Sequence, residues 1–277
     1  MKKQVSDQLV WWGSMHPYID VMKIDLVNEI VIGRYGGNSR AGAYKNEDGC
    51  VVFNGPDWEL VVIVDGHDSD ESTQLIVTTL AHREHEIEAI LNEPVSIALK
   101  KMEEYILTIF QSAEFKESCR QVTGEAACLL AIRKENYFWW LLIGDCLAYV
   151  FHPELHQLGQ YTVNQRHFYE WIGKVNTFER NVPGYSSGIV ELRPGKNQLL
   201  VVTDGVIECA NRQLENSREL YKLIQQSSSV NLESVVSTIL QHVHNSNGKD
   251  SATLVYWEVE NTFSADYAGN QSKGEQK

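Results

Sequence analysis

The chain has 277 residues, 43% of them hydrophobic and 22% charged, which is enough apolar material for one large packed unit and argues against disorder over most of its length. A formal net charge of -13 speaks against nucleic acid as a partner, because that affinity comes largely from Lys and Arg neutralising phosphates. The five cysteines form no CxxC pair, so they fit reduced thiols in a cytoplasmic protein better than a disulfide framework or a zinc site. The N-terminus is too polar for a signal peptide, and the longest apolar run, Tyr137 to Ile143, is too short to cross a bilayer. The expectation is a soluble protein with no membrane partner.

Strand candidates come first along the chain: Glu29 to Ile32, Cys50 to Phe53 and Glu59 to Val64, each short, rich in Val and Ile and bounded by turn formers. A helix is predicted from about Ser72 to Leu91. A second runs from about Val95 to Phe110, where Val95, Leu99, Met102, Ile106 and Phe110 recur at helical steps, with Pro94 at its start. Three more strands follow, Ala127 to Arg133, Tyr137 to Ile143 and Ala148 to Phe151, the first two joined as a hairpin at Lys134-Glu135-Asn136. Next come a strand at Gln198 to Thr203, helices at about Arg218 to Gln226 and Leu232 to His244, and a last strand at Ala252 to Val259. This order suits an α+β fold, a four-layer αββα sandwich whose two central antiparallel sheets are flanked by pairs of helices. One domain is expected over residues 1–260, with a frayed tail over 261–277.

The chemistry lies where apolar strands run into carboxylates. Leu60 to Val64 leads into Asp65-Gly66-His67, Leu141 to Ile143 into Gly144-Asp145, and Leu199 to Thr203 into Asp204-Gly205. Asp250-Ser251-Ala252-Thr253 opens the last strand, and Asn46-Glu47-Asp48-Gly49 precedes the strand at Cys50. One Asp-Gly after a strand is an ordinary turn signal. Several together at strand ends are different, because a carboxylate at the edge of a buried sheet is costly unless paired, hydrogen-bonded or bound to metal. Oxygen donors with few thiolates or imidazoles point to a hard cation such as Mg²⁺ or Mn²⁺. Two such ions roughly 3.5–4 Å apart can share a bridging water and make it a nucleophile for in-line attack on phosphorus.

From about Arg34 to Trp257, these motifs and their order resemble the metal-dependent protein phosphatases of type 2C. The resemblance implies hydrolysis of phosphoserine and phosphothreonine esters in a phosphorylated protein substrate, by a water or hydroxide held between two Mg²⁺ or Mn²⁺ ions. It implies that Asp48 binds metal, that Glu47 orients a metal-bound water, and that Asp65 bridges both ions while Gly66 offers its carbonyl. Asp204 and Asp250 would complete the second ion's shell, Asp145 would help to hold a third, weaker ion, and His67 would be general acid for the leaving oxygen. The implied form is a stand-alone monomer of bacterial type.

Four departures stand out. The family's phosphate-gripping arginine falls at Ala43, leaving Arg34, Arg40 and Lys45 as substitutes, although a lysine does not reproduce a bidentate arginine. Asp68-Ser69-Asp70 follows the histidine in place of glycine; Asp68 and Asp70 are expected to cap the helix that begins near Ser72. Gly124-Glu125-Ala126-Ala127 replaces a run of small hydroxyl residues, and Cys146 replaces a serine as a small filler. The alternatives are a regulatory or binding module of the same fold with weak turnover, and a hydrolase of a small phosphoester whose flap would be Gln157 to Arg193, with Tyr161, His167, Trp171 and Tyr185. No Walker-type Gly-x-x-x-x-Gly-Lys-Ser/Thr loop is present.

Overall fold

The computed structural model describes residues 8–209, 212–228 and 231–264. In chain order the strands are β1 (Gln8–Trp12), β2 (Lys23–Val27), β3 (Ile30–Tyr35), β4 (Gly49–Asn54), β5 (Trp58–His67), β6 (Glu125–Lys134), β7 (Tyr137–Ile143), β8 (Leu147–Phe151), β9 (Ile172–Gly173), β10 (Ser186–Glu191), β11 (Gly195–Val202) and β12 (Ala252–Asn261). The helices are α1 (Glu71–Ala81), α2 (Glu84–Leu91), α3 (Val95–Gln111), α4 (Ala113–Gln121), the short α5 (Pro153–Gln157) and α6 (Asp204–Ile207), α7 (Ser217–Ser228) and α8 (Leu232–Asn245).

Two antiparallel sheets stack face to face. One has the order β1-β4-β5-β6-β7-β10, with β9 on the end of β6; the other is β2-β3-β12-β11-β8. Three apolar layers result. Leu60, Val62 and Val64 of β5 face α1 to α4; Val61 and Ile63 face the second sheet; Leu200, Val202, Leu254 and Tyr256 meet α7 and α8. Each Leu, Ile or Phe buried in these layers contributes about 1.5–3 kcal/mol. The layers also hold every cysteine: Cys119 and Cys128 in the first, Cys50 and Cys146 between the sheets, and Cys209 in the third. All five are free and buried. The expected sandwich is therefore the observed one. No helix among the described residues is long and apolar enough to cross a membrane.

The single helix expected over residues 72–91 is two. α1 ends at Ala81 and α2 starts at Glu84. Between Leu80 and Ile87 the sequence has no large apolar residue to keep the helix on the sheet, and the two pieces pack on different partners, α1 on β4 and β5 and α2 on α3. α4 was not expected; Ser112 caps it by accepting from the Phe115 amide at 3.1 Å, and Phe115 and Cys119 bury one side. β1, β2, β9 and β10 are also additional to the predicted strands. At the other end β12 continues through Asn261, whose side-chain amide donates to the Leu192 carbonyl at 2.7 Å. Residues 265–277 of the expected tail lie outside the described residues.

Candidate metal centre

Period-two alternation delivers carboxylates to one end of the gap between the sheets. In β5, Val61 and Ile63 point into that gap, so Asp65 does too. β5 does not stop at Val64; Asp65, Gly66 and His67 continue the ladder opposite Ala127, Ala126 and Glu125. By the same alternation Cys50 and Val52 of β4 place Asp48 in the gap, and Val255 and Trp257 of β12 place Thr253 there. Leu199 and Val201 of β11 lead to Thr203 and then to Asp204, which opens α6.

One carboxylate oxygen from each of Asp65, Asp145 and Asp204 lies within 4.8 Å of the others. Asp65 and Asp145 are each 4% exposed and Asp48 is 0% exposed. The Asp204 amide approaches Asp65 Oδ2 at 3.4 Å. Asp48 is tied in through Thr203, whose hydroxyl donates to Asp48 Oδ2 at 3.0 Å. Burial, then the neighbouring charge of Asp204, pushes the Asp65 carboxyl well above the usual carboxylate range. Burial, with Asp250 and Asp204 adding, does the same to Asp48. Asp204 is pushed up to about 6 by burial, then by Asp250 and Asp145. Crowded buried carboxylates of this kind are stable as anions only beside a cation.

Two glycines let the strand ends approach. A Cβ at Gly66 would sit 2.5 Å from the Glu47 carbonyl oxygen and 2.6 Å from Thr73 Oγ1; one at Gly205 would sit 1.8 Å from the Ser251 carbonyl oxygen. The Asp-Gly steps are thus packing requirements and not open turns. Glu47, at the rim, is held by Lys45, whose Nζ donates to Glu47 Oε1 at 2.8 Å, while Thr73 donates to the Glu47 carbonyl at 2.7 Å. Asp250 is exposed and turns Oδ1 to the Ser251 amide at 2.9 Å. It is near enough to raise Asp48, Asp65 and Asp204 but stands outside the tight group of three. His67 is half-buried, with its ring edge-to-face against Trp171 at 4.8 Å and Nδ1 buried without a hydrogen-bond partner.

Ala43 is buried, close enough to Gly37 that a Cβ there would sit 2.7 Å from its own. Of its expected substitutes, Arg34 is engaged elsewhere: it pairs with Asp25 and lies against the rings of Trp11 at 4.9 Å and Tyr18 at 5.1 Å. Arg40 is exposed. Lys45 alone among the three is bonded to a candidate site residue. Asp70 stands at the N-cap of α1, but neither it nor Asp68 makes a side-chain capping hydrogen bond. Asp70 accepts from the Ser14 amide at 2.7 Å, and Asp68, in the left-handed region at φ 73°, presents its carbonyl to Lys45. Ser69 Oγ instead accepts from the Glu71 amide at 3.2 Å. Cys146 is a fully buried filler of the inter-sheet layer.

One residue in the acidic group was not legible in the sequence. Arg166 Nη2 donates to Asp145 Oδ2 at 3.0 Å and faces Asp204 Oδ2 at 3.4 Å, while Nη1 reaches Glu208 Oε1 at 2.6 Å. It belongs to the same stretch as Trp171, so residues 166–171 pass over the acidic end of the sandwich.

Neither a family model nor a curated protein sequence matches the chain. Solved structures do. A variant of a bacterial serine phosphatase superposes with a TM-score of 0.66 at 18% identity, covering 84% of this chain and 98% of that one. The fold is that of the type 2C phosphatases. The serine/threonine phosphatase Stp1 from Staphylococcus aureus superposes with a TM-score of 0.62 at 17% identity, over 84% of this chain and 95% of that one. RsbX, in a structure described as its complex with magnesium, gives 0.56 at 13% identity, over 86% and 99%. At these identities the likeness to the type 2C phosphatases is one of fold, and the chemistry rests on this chain's own side chains.

The donor set fits a hard divalent cation. It is all oxygen, it converges, and two of its oxygens, Asp48 Oδ1 and Asp145 Oδ1, are buried without a hydrogen-bond partner among the described residues. Orphaned buried oxygens of this sort call for an ion or water.

Proposed function

We propose that the chain is a metal-dependent phosphatase that hydrolyses phosphoserine and phosphothreonine esters in proteins. The observation that carries this reading is the convergence of Asp65, Asp145 and Asp204, with an oxygen of each within 4.8 Å of the others, at the strand ends of a type 2C fold. Asp48, Asp65, Asp145, Asp204 and Asp250, with the Gly66 carbonyl, are the groups that would hold Mg²⁺ or Mn²⁺. A pair of such cations, when bound, neutralises phosphoryl charge and lowers the pKa of water.

The chain's own groups do the rest. Glu47, fixed by Lys45, accepts a hydrogen bond from water at the rim and orients it. Lys45, beside Glu47, is the cation closest in role to the missing arginine, as a point charge and without bidentate geometry. His67, held edge-on by Trp171, is placed to give a proton to the departing serine or threonine oxygen. The test is phosphate release from a phosphothreonine peptide with Mn²⁺, with Mg²⁺ and with chelator, for wild type and Asp204→Asn. Metal-dependent turnover that collapses in the variant supports the reading, and folded protein without turnover under any condition overturns it.

A second reading is a regulatory module with weak turnover. It is favoured by the burial of Ala43 at the arginine position and by a guanidinium already seated among the acids. Metal binding with no phosphate release would select it.

A further inference from the structure

Arg166 has three acidic partners, Asp145, Asp204 and Glu208. Its Nη2 stands between Asp145 and Asp204, two members of the tight group, at 3.0 and 3.4 Å, and its Nε also donates to the Asp145 backbone carbonyl at 3.1 Å. Phe168 lies against the guanidinium with its ring centroid 4.7 Å from Cζ. The side chain is only 16% exposed, so the charge is taken out of water at the spot where the carboxylates are densest. Even so it leaves Asp145 Oδ1 buried and without a hydrogen-bond partner.

We propose that Arg166 is a resident cation of the Asp145–Asp204 corner, one that a divalent ion must displace in order to bind there. This rests on the reading of the acidic group as a metal centre. A guanidinium nitrogen hydrogen-bonded to both carboxylates fills the space between them, and a divalent ion cannot share that space because like charges at such range repel strongly in a buried setting. Glu208, at 2.6 Å from Nη1 and more open to solvent than Arg166, gives the arginine an anion to stay with once it has left Asp145 and Asp204. Cation loading at this corner is therefore weakened by an intramolecular competitor, while Asp48 and Asp65, which Arg166 does not touch, bind without that competition.

The experiment is calorimetric titration of Mn²⁺ into the metal-free full chain, comparing wild type, Arg166→Lys and Arg166→Gln, with melting curves as the check on folding. Arg166→Gln is expected to bind one more Mn²⁺ than wild type, or to bind the weakest ion about tenfold more tightly. The gain should vanish when Asp145→Asn is added. Arg166→Lys keeps the charge and should stay close to wild type. If Arg166→Gln fails to fold, Arg166→Met, which keeps packing against Phe168, carries the same expectation. Equal stoichiometry and affinity in wild type and Arg166→Gln, with Mn²⁺ bound in both, would overturn the competitor and leave the metal centre standing. Weaker binding in Arg166→Gln would overturn it by making the arginine a support for Asp145. No Mn²⁺ bound by any form would overturn both ideas.

Discussion

Two arginines in this molecule sit among aromatic rings and carboxylates, and they are built for different ends. Arg34 belongs to a strand. It is 4% exposed, packed against the rings of Trp11 and Tyr18, and paired with one carboxylate, Asp25, from the neighbouring strand. Arg166 belongs to a loop, has one ring beside it and three carboxylates around it. The first arrangement carries no surplus of acid, since Asp25 is shared with Lys23 at 2.9 Å. The second leaves the acids in excess. A surplus of buried negative charge is what a cation site needs, and a balanced pair is what a structural contact needs.

That contrast can be broken by measurement. The largest effect is expected at the surplus. Asp204→Asn or Asp65→Asn should reduce turnover by on the order of 10²-fold or more, since metal-borne charge stabilisation is worth several kcal/mol; retained turnover in either variant would disconnect the acids from the chemistry.

Next in size is the cost of the surplus itself in metal-free protein. Asp204, Asp65 and Asp48 all have raised carboxyl pKa values in the folded chain, Asp204 at about 6. Between the unfolded value and the raised one the native state binds more protons than the unfolded state. Their contribution to stability is therefore full below about pH 4 and lost as pH rises through about 6. Urea unfolding of the chelated chain should show it weaker at pH 7.5 than at pH 5, by on the order of 2 kcal/mol, with Mn²⁺ restoring the difference at pH 7.5. A chelated chain equally stable at both pH values would mean that the acids do not strain one another.

At Arg34, Asp25→Ala should cost about 1–3 kcal/mol, because it leaves a buried guanidinium without its partner. Mn²⁺ stoichiometry and turnover per folded molecule should be unchanged. A fall in either would place Arg34 in the site's machinery. The smallest effect is expected at the loop. Trp171→Ala removes the ring edge on His67, a contact worth about 0.5–1.5 kcal/mol. It should lower kcat a few-fold, whereas a rise in KM alone would indicate that Trp171 serves only substrate binding.

The comparison also separates what the sequence reveals from what it hides. Asp65, Asp145 and Asp204 could be read because each follows an apolar strand, and a strand's period fixes which side of the sheet its next side chain faces. The sandwich was legible for the same reason. Arg166 was not: nothing in Asn164 to Trp171 has a period, so the landing place of its side chain depends on the path of a loop. Arg34 misled in the opposite sense. It lies close in sequence to the arginine-shaped gap at Ala43, yet its side chain packs on Trp11 and Tyr18 and pairs with Asp25. The break between α1 and α2 was hidden because helical propensity continues through His82 and Arg83 while the packing partner changes.

Each of the three apolar layers carries at least one sealed thiol, and burial raises all five in pKa, Cys50 and Cys119 to about 12. A buried, protonated thiol is inert to alkylating reagents until its surroundings open. The cysteines therefore form a set of timers distributed through the depth of the molecule. Their order of labelling under mild denaturant would show which interface gives way first, and a shared rate would show that the sandwich comes apart as one unit.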